Sequence, residues 1–417
     1  MIDEDLERDL ERRFPGSWEL YRKIAESREL EISATNRGEA WRREEGWAVR
    51  WWEGGLRFAT GSDRRRLAAA IPLAAKLPAR DEPAPPLPSR EALQPADPAG
   101  AVAAPPDLFS PLAQQVSEKS RGEAVLASLT LRRGRAVEEI RNSAGGRVRM
   151  ESSQLDGVAR ALGRRGPRAC ERRSVFRWDG DPDLQSLAGR LADGATLPLA
   201  PHGPTFSRGA WLLDPAVAAA LLAALAPLFS ADAFPRWVKR AEIASRKVTV
   251  ADDASADAPS DGEGTPTRRI LLIEDGALVS RLHDLRSAAR AGVFSTGHGV
   301  RPSYRNPPRP GGRRLFFETA RGVSPRDLLG GVARGIFARA LTAPVSVDVE
   351  GDHYEIEFTG VAIVGGRASE PVAGARVSGR ISDLLGRIAE VATDRQFFPM
   401  PYPVGAPTIL VEKVNFE

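Results

Sequence analysis

The chain has 417 residues, of which 42% are hydrophobic and 27% are charged. These fractions are typical of folded globular proteins and argue against a chain that is disordered throughout. The length predicts two or three domains, because single cores stop growing well below this size. The net charge is +4 and the pI about 9.4, but acidic and basic residues alternate along the chain, so nucleic acid is not an expected partner.

The cysteine content and the N-terminal sequence indicate the cellular compartment. Cys170 is the only cysteine, which excludes an internal disulfide and a multi-thiolate metal site. The N-terminus is acidic and lacks an apolar signal core, and no apolar run reaches the roughly 20 residues that cross a bilayer. We therefore expect a cytoplasmic protein without a membrane partner.

Residues 1–76 are predicted to form a first α+β unit. Leu6, Leu10 and Phe14 recur at helical spacing. The stretch GWAVRWWEGGLRFATG then alternates apolar and other residues around a Glu-Gly-Gly turn, which indicates a β-hairpin whose tryptophan face packs on a helix. A helix over residues 62–76 closes the unit.

Residues 77–112 are predicted to be a linker or an extended arm on the surface. They hold ten of the 33 prolines and show no apolar period. Proline is excluded from helix interiors and from central strands, so this segment is not expected to add a helix or a strand to either neighbour.

Residues 113–205 are predicted to form a second α+β unit. The alternation of Val125, Ala127, Leu129 and Leu131 predicts a strand, NSAGG at 142–146 predicts a hairpin, and ACERRSVFRW predicts another strand. Short helices are predicted over 154–162 and 183–191.

Residues 206–417 are predicted to form the largest domain, dominated by an antiparallel β-sheet with a few helices. Strands are predicted for KVTVADD, RRILLIEDGALV, HYEIEFTGVAIVGG, PVAGARVSG and PTILVEKVNF, with a tight turn at Asp275-Gly276. Helices are predicted over 324–341 and 381–393. The predicted fold class is therefore α+β: N-terminal α+β units followed by a larger β-rich C-terminal domain.

The stretch LLDPAVAAALLAALAPLF at 212–229 predicts one further helix. Asp214 is placed to cap it and Pro215 suits its first position. A helix that is apolar all round is a buried helix. The pattern leaves open whether this helix carries chemistry or only fills a core.

The four histidines do not form a metal-binding motif. His202, His283, His298 and His353 lie apart in the sequence, with His283 expected on a helix, whereas a zinc hydrolase needs three protein ligands and a carboxylate base. No G-x-S-x-G or phosphate-binding glycine motif is present, although a Ser-His-Asp triad built from distant residues stays open.

Two polar segments are candidate binding loops. VADDASADAPSDGEG does not have the ligand spacing of a calcium loop, so we interpret its five carboxylates, Asp252, Asp253, Asp257, Asp261 and Glu263, as a solvated acidic loop. STGHGVRPSYRNPPRPGG at 295–312 combines flexible glycines with planar arginine donors and a tyrosine ring, which suit a peptide carboxylate or backbone. The residues predicted to contact a peptide or a partner are Asp261, Glu263, Thr296, Gly297, His298, Arg301, Tyr304 and Arg305.

Read in order, the C-terminal half resembles the TldD/PmbA family, which comprises peptidases and their partner subunits and is known as modulators of DNA gyrase. The resemblance is carried by VADD, SDGEGTPTRRILLIEDGAL, STGHGVRPSYRNPP, the run from GDHYEIEF to SGRISDLLGRI, and PTILVEKV. The N-terminal half fits more loosely, through EEGWAVRWWEGGLRFATG and NSAGG. His298 stands where this family usually has an asparagine.

The resemblance also bears on the apolar helix. In TldD-type members the corresponding helix carries HExxxH, whose histidines bind zinc together with a cysteine near the C-terminus. Here the helix reads AVAAALLAALAPLF and the C-terminal segment reads RQFFPMPYPVGAP. Both halves of the zinc site are missing together, so the resemblance implies a PmbA/TldE-type chain without a metal of its own.

The resulting hypothesis is a non-catalytic subunit of a heterodimeric TldD/TldE-type metallopeptidase that acts on unfolded or short peptides. It predicts no catalytic or metal-binding residue in this chain and expects zinc only in a TldD-like partner. The alternatives are a stand-alone peptide-binding or scaffold protein that pairs with itself, and a metal-independent hydrolase.

Overall fold

The computed structural model describes residues 4–89, 91–92, 108–177, 183–233, 235, 238, 242–256, 258–319 and 322–417. The helices are α1 (Glu4–Arg13), α2 (Arg64–Ala75), α3 (Phe109–Lys119), α4 (Leu184–Thr196), α5 (Pro215–Leu225), α6 (Leu285–Ala291), α7 (Pro325–Gly331) and α8 (Ile381–Gly386). Short 3₁₀ turns cover Leu197–Leu199, Ala226–Phe229 and Ala254–Ala256.

The N-terminal strands are β1 (Trp18–Ser33), β2 (Arg37–Trp52), β3 (Leu56–Gly61), β4 (Glu91–Ala92), β5 (Ala124–Asn142), β6 (Arg147–Arg165) and β7 (Arg168–Arg177). The C-terminal strands are β8 (Arg208–Leu213), β9 (Val250–Asp253), β10 (Arg269–Glu274), β11 (Ala277–Leu278), β12 (Gly299–Val300), β13 (Arg309–Pro310), β14 (Leu315–Phe317), β15 (Arg334–Leu341), β16 (Ser346–Asp348), β17 (His353–Val364), β18 (Arg367–Gly379), β19 (Ile388–Val391), β20 (Gln396–Pro399), β21 (Pro403–Ala406) and β22 (Ile409–Asn415).

The N-terminal strands form one seven-stranded sheet. Its order is β3-β2-β1-β5-β6-β4, and β7 pairs with the free edge of β6. The long ladder between β1 and β5 joins the two predicted N-terminal units. Strand β4, which pairs with β6, and the start of α3 at Phe109 lie inside the predicted linker, so the expectation that this segment adds no helix or strand is wrong. The division into 1–76, 77–112, 113–205 and 206–417 stays a prediction, but the first and third of these segments share this sheet.

One face of this sheet packs on helices. Trp18, Trp47 and Trp51 form a buried cluster with Leu10 of α1 and Leu67 of α2, as the alternation in GWAVRWW predicted. Farther along the sheet, α3 and α4 cover β5, β6 and β7. Because successive strand residues point to opposite faces, the residues between these tryptophans face the other side of the sheet.

The strand predicted around 125–131 is confirmed, and Leu129 and Leu131 are buried as the alternation predicted. Its first part differs, because Val125 is 55% exposed and Leu126 is buried instead. The pairing of β5 with β6 shifts register between Leu126 and Ser128. This bulge reverses the alternation, which explains the error.

Residues 154–162 belong to β6, so the helix predicted there is wrong. Leu155, Gly157 and Ala159 are buried in period two along the strand. Gly157 pairs with Phe176 of β7, and a Cβ at Gly157 would lie 2.0 Å from the Phe176 ring. The small residues that gave helical spacing in the sequence make room for the neighbouring strand.

The helices predicted over 324–341 and 381–393 are each half wrong. In both, a short helix ends at glycine, Gly331 in α7 and Gly386 in α8, and a strand follows. Glycine favours helix termination because its backbone is the most flexible. His283 is also not helical, since Asp284 caps α6 after it.

Two C-terminal sheets enclose α5. The six-stranded sheet has the order β11-β10-β9-β14-β21-β20, and the seven-stranded sheet has the order β16-β17-β15-β8-β22-β19 with β18 paired to β17. Helix α5 packs against strands of both sheets, and Ala218 and Leu222 are buried in the largest core. Asp214 caps the helix by accepting a hydrogen bond from Ala216 N–H. The predicted buried helix and the α+β fold class are confirmed.

Within the described part of the chain, no helix is both long enough and apolar enough to cross a membrane.

Candidate functional site

The predicted contact residues lie in two loops that cover the second face of the N-terminal sheet. The first, loop A, is residues 254–268 between β9 and β10. The second, loop B, is residues 295–314 and contains the small β12–β13 hairpin. Tyr21 of β1 and Ala48 of β2 pack against Tyr304 of loop B. The C-terminal loops therefore pack on the face of the sheet opposite α1 and α2.

Asp261 holds loop A in shape and ties it to loop B. Its Oδ1 accepts hydrogen bonds from Glu263 N–H and Thr265 N–H, both at 2.9 Å. Its Oδ2 accepts from Gly299 N–H at 2.7 Å. Because each oxygen is bonded to backbone donors, this carboxylate can be buried without losing its hydrogen bonds.

Glu263 connects three parts of the molecule. Its Oε1 accepts a hydrogen bond from Arg50 of β2 at 2.8 Å, and its Oε2 accepts from Leu285 N–H, the first residue of α6, at 2.7 Å. A Cβ at Gly299 would lie 2.6 Å from Oε2. Glycine at 299 therefore permits the close approach of loop B to this carboxylate.

The interpretation of a solvated acidic loop is wrong for Asp252, Asp261 and Glu263, which are each 0% exposed. Asp253 is half-buried, and Asp257 lies outside the described residues. The partners of the three buried carboxylates are backbone N–H groups together with the side chains of Arg50 and His298. The tertiary fold brings these partners in, and the local sequence does not reveal them.

Two arginines and two glutamates form a buried ion network between the sheet and the loops. Arg50 donates to both Glu19 of β1, at 2.7 Å, and Glu263. Arg301 donates to the other oxygen of Glu19 and, through Nε, to the Gly262 carbonyl at 2.7 Å. The two guanidinium groups alternate with the two acidic side chains, so each buried arginine has an acidic partner.

Burial shifts the pKa values of the acids in this region. It raises the pKa of Glu263 to about 8, opposed by Arg50 and reinforced by Asp261. Burial also raises the pKa of Asp261, opposed by its backbone hydrogen bonds. For Arg50, burial favours the neutral form, but Glu19 and Glu263 outweigh it and raise the pKa.

His298 is 0% exposed and bridges loop B to β9. Its Nε2 lies 3.1 Å from Asp252 Oδ1, and its Nδ1 lies 2.9 Å from the Thr296 carbonyl oxygen. The Asp252 carboxylate also accepts from Arg313 N–H and Arg314 N–H. This histidine is a buried connector between strands.

Tyr304 is buried, whereas the neighbouring Arg305 is exposed to solvent. Tyr304 is 4% exposed, and its ring occupies the space that a Cβ at Gly46 would take. Arg305 is exposed and stacks over the Tyr304 ring at 4.8 Å. Gly297 has a φ of 74°, and a Cβ there would lie 2.2 Å from the Pro266 carbonyl oxygen.

The structure therefore brings the eight predicted contact residues together, but seven of them are buried. Only Arg305 is exposed. The contact role of these residues stays a prediction, and in this structure most of their polar atoms are bonded within the chain. Sequence reasoning missed Glu19 and Arg50. Each is a charged residue between two buried apolar residues, and this was the only sign in the sequence of its role.

The region that would hold a zinc ion does not fit one. Helix α5 packs against β20 and β21, so the helix and the C-terminal segment that carry ligands in TldD-type chains are neighbours here. The facing core residues include Leu221, Phe398 and Val404, none of which ligates a metal. Among the described residues, no group of three or more His, Cys, Asp or Glu side chains could hold a metal ion.

Cys170 lies on β7, where burial raises the pKa of its thiol.

Two concave surfaces flank the loops. A cleft of about 560 Å³ lies between the β2–β3 end of the N-terminal sheet, the segment 80–85 and loop B; we call it the arginine cleft, because Arg50, Arg80, Arg286 and Arg309 line it. An apolar groove of about 990 Å³ lies between β10, β11 and residues 293–296. Val279, Val293 and Phe294 line this groove, and they are 51%, 52% and 90% exposed.

A match to a protein-family model shows which family the chain belongs to. The model for the PmbA/TldA metallopeptidase C-terminal domain matches residues 208–417, about half of the chain. The chain belongs to the TldD/PmbA family. The match spans β8 to the C-terminus and includes α5, loop A and loop B.

Curated relatives of this TldD/PmbA chain match in part. The metalloprotease TldD homolog of Haemophilus influenzae is 24% identical over 191 residues, 42% of this chain and 39% of that protein. A metalloprotease of Synechocystis is 31% identical over 136 residues, 32% of this chain and 28% of that protein. The chain thus spans less than half the length of the curated relatives it matches.

Solved structures match along nearly the whole length. The crystal structure of TldE from Thermococcus kodakarensis has a TM-score of 0.83 and 21% identity, and the match covers 99% of both chains. A putative modulator of a DNA gyrase from Thermotoga maritima has a TM-score of 0.79 and 16% identity, again over 99% of both chains. These likenesses show a shared fold along nearly the whole length of the TldD/PmbA chain described here.

Proposed function

We propose that the chain is a non-catalytic subunit of a TldD/TldE-type metallopeptidase, in which a TldD-like partner holds the zinc and cuts unfolded or short peptides. The observation that carries the proposal is the packing of α5. The helix and the β20–β21 segment lie side by side, as the two halves of a zinc site would, but apolar side chains fill the space between them. The helix and the strand segment keep the contact that a zinc site would need, but their facing side chains are not ones that ligate zinc.

A second observation favours work in a complex. The apolar groove presents Val279, Val293 and Phe294 to solvent. Clustered apolar side chains on a surface are typical of protein–protein interfaces. They fit a chain that works beside another subunit.

The test is coexpression of the tagged chain with a TldD-like chain that carries HExxxH and is encoded in the same genome. We expect the two to copurify, zinc to be found only when the partner is present, and an unfolded peptide to be hydrolysed only by the pair. The matched control is a partner whose HExxxH glutamate is changed to glutamine, which should keep the complex and lose hydrolysis.

Other outcomes separate the alternatives. A chain that binds peptides as a self-paired dimer and never recruits the partner would favour the stand-alone scaffold. Hydrolysis by the purified chain alone that resists chelators would favour the metal-independent hydrolase. Either result contradicts the proposed function.

A further inference from the structure

The arginine cleft carries positive charge that is not neutralised within the molecule. The side chains of Arg80 and Arg309 are exposed, and neither makes a hydrogen bond or an ion pair with the described part of the chain. Arg286, by contrast, is paired with Asp232 and lies 3.7 Å from Glu82, the one acid among the described residues that line the cleft. Two free guanidinium groups therefore face the same space.

A buried donor reinforces this charge. Arg50 also lines the cleft and is 3% exposed. Its Nη2 is bonded to Glu19 and Glu263, but its Nε–H has no acceptor among the described residues. A buried donor without an acceptor is costly unless a bound group or water satisfies it. Arg50 thus brings one further unsatisfied N–H to the lining of the cleft.

Proline and tryptophan rings also form part of the cleft lining. Pro83, Pro85 and Pro307 line it together with Trp52, whose ring lies 5.2 Å from the Arg50 guanidinium carbon. Rigid proline and aromatic surfaces suit an extended peptide chain, because they order little on binding. The volume of about 560 Å³ lies within the range of about 300–1,000 Å³ for small-ligand sites, which admits only a short segment.

We propose that the arginine cleft binds the free C-terminal carboxylate of an extended peptide. Guanidinium groups recognise carboxylates through paired, charge-assisted hydrogen bonds, and Arg80 and Arg309, which both line the cleft, can supply them. This inference rests on the proposed role in handling peptides. Its test needs neither the partner subunit nor hydrolysis, so the two proposals can fail separately.

The test compares two forms of one short, fluorescently labelled peptide, with a free C-terminal carboxylate and with a C-terminal amide. Anisotropy titrations use the purified full chain at low salt. We expect the acid to bind roughly tenfold more tightly than the amide, the effect of one charged hydrogen-bonding group. Arg80→Ala and Arg309→Ala should each weaken acid binding, and the double variant should bind both peptides alike.

The matched control is Arg326→Ala, which removes an exposed arginine of α7 that does not line the cleft. It should leave the preference for the acid unchanged. Equal binding of acid and amide, no binding of either peptide, or full acid preference in the double variant would each overturn the inference. Inorganic phosphate is added as a competitor, because a phosphate group is the other anion that these arginines could bind. If it displaces the labelled acid better than an unlabelled acid peptide does, the site is one for phosphate groups and the peptide assignment is overturned.

Discussion

Buried charges in the candidate site are held by partners from distant parts of the sequence. Glu19 and Arg50 come from β1 and β2, whereas Glu263 and Arg301 come from the C-terminal loops. The hydrogen bonds compensate the loss of hydration, but they do not abolish its cost. That residual cost makes the stability of the fold depend on pH.

Glu263 should make the protein less stable as pH rises. Its pKa is about 8 in the folded state against an ordinary value of 4.5, so the folded state binds more protons between these pH values. The stability contributed by protonated Glu263 is complete below the unfolded pKa and is lost as pH rises toward 8. Urea unfolding followed by tryptophan fluorescence should show a fall in the free energy of unfolding between pH 5 and 8, on the order of 2 kcal/mol.

Glu263→Gln cannot ionise and should flatten this dependence, although its lost hydrogen bond should lower stability at low pH. Glu412→Gln, which changes an exposed glutamate, should leave the slope unchanged. A Glu263→Gln variant with the wild-type slope would show that other groups cause the dependence.

At the scale of elements, loop B seats against β2 because that strand offers a place without a side chain. A Cβ at Gly46 would lie 2.0 Å from the Tyr304 ring. Gly38 lies on the same strand, with nothing within 4 Å of such a Cβ. Neither glycine has a positive φ, so alanine at either position tests space and not backbone strain.

Gly46→Ala should lower the free energy of unfolding by about 1–3 kcal/mol, because overpacking displaces the Tyr304 ring. Gly38→Ala should change it by less than about 0.5 kcal/mol. Urea unfolding of both variants measures the difference. Equal stabilities of the two would mean that Tyr304 does not pack against β2.

Helix α5 also depends on the fit between its side chains and the space around them, over a larger contact. Its Ala and Leu side chains fill the space between the two C-terminal sheets. A charged ligand set at this place would need partners that the surrounding core does not offer. The packing therefore suits a core helix.

At the scale of the whole molecule, the ion network joins the N-terminal sheet to the C-terminal part of the chain. Arg301→Ala should leave one oxygen of Glu19 buried without a partner and lower the free energy of unfolding by about 3–5 kcal/mol. Arg305→Ala, in the same loop but exposed, should change it by less than about 0.5 kcal/mol.

Thermal unfolding of the Arg301→Ala and Arg305→Ala variants by calorimetry measures both effects. In Arg301→Ala we also expect earlier proteolytic cleavage in loop B, because the loop loses its ion pair with Glu19. Indistinguishable melting curves would mean that the network contributes nothing to joining the two parts.

Several features of the fold followed from local pattern alone. The tryptophan hairpin, the NSAGG turn, the Asp275-Gly276 turn and the capped, buried α5 appear in the structure where the sequence placed them. In contrast, the pattern of residues 154–162 predicts a helix, because the spacing of their small apolar residues fits both the helical and the strand period. The pairing of β6 with β5 and β7 selects the strand.

The sequence by itself determined the fold class, the family resemblance and the apolar character of α5, because these depend on periodicity, on turn residues and on the order of short motifs. Only the tertiary structure decided that Asp261, Glu263 and Arg301 are buried connectors and that Arg80 and Arg309 share a cleft. Burial and pairing depend on which distant segments meet, and a charged residue has the same letter in the sequence whether it lies in water or against its partner.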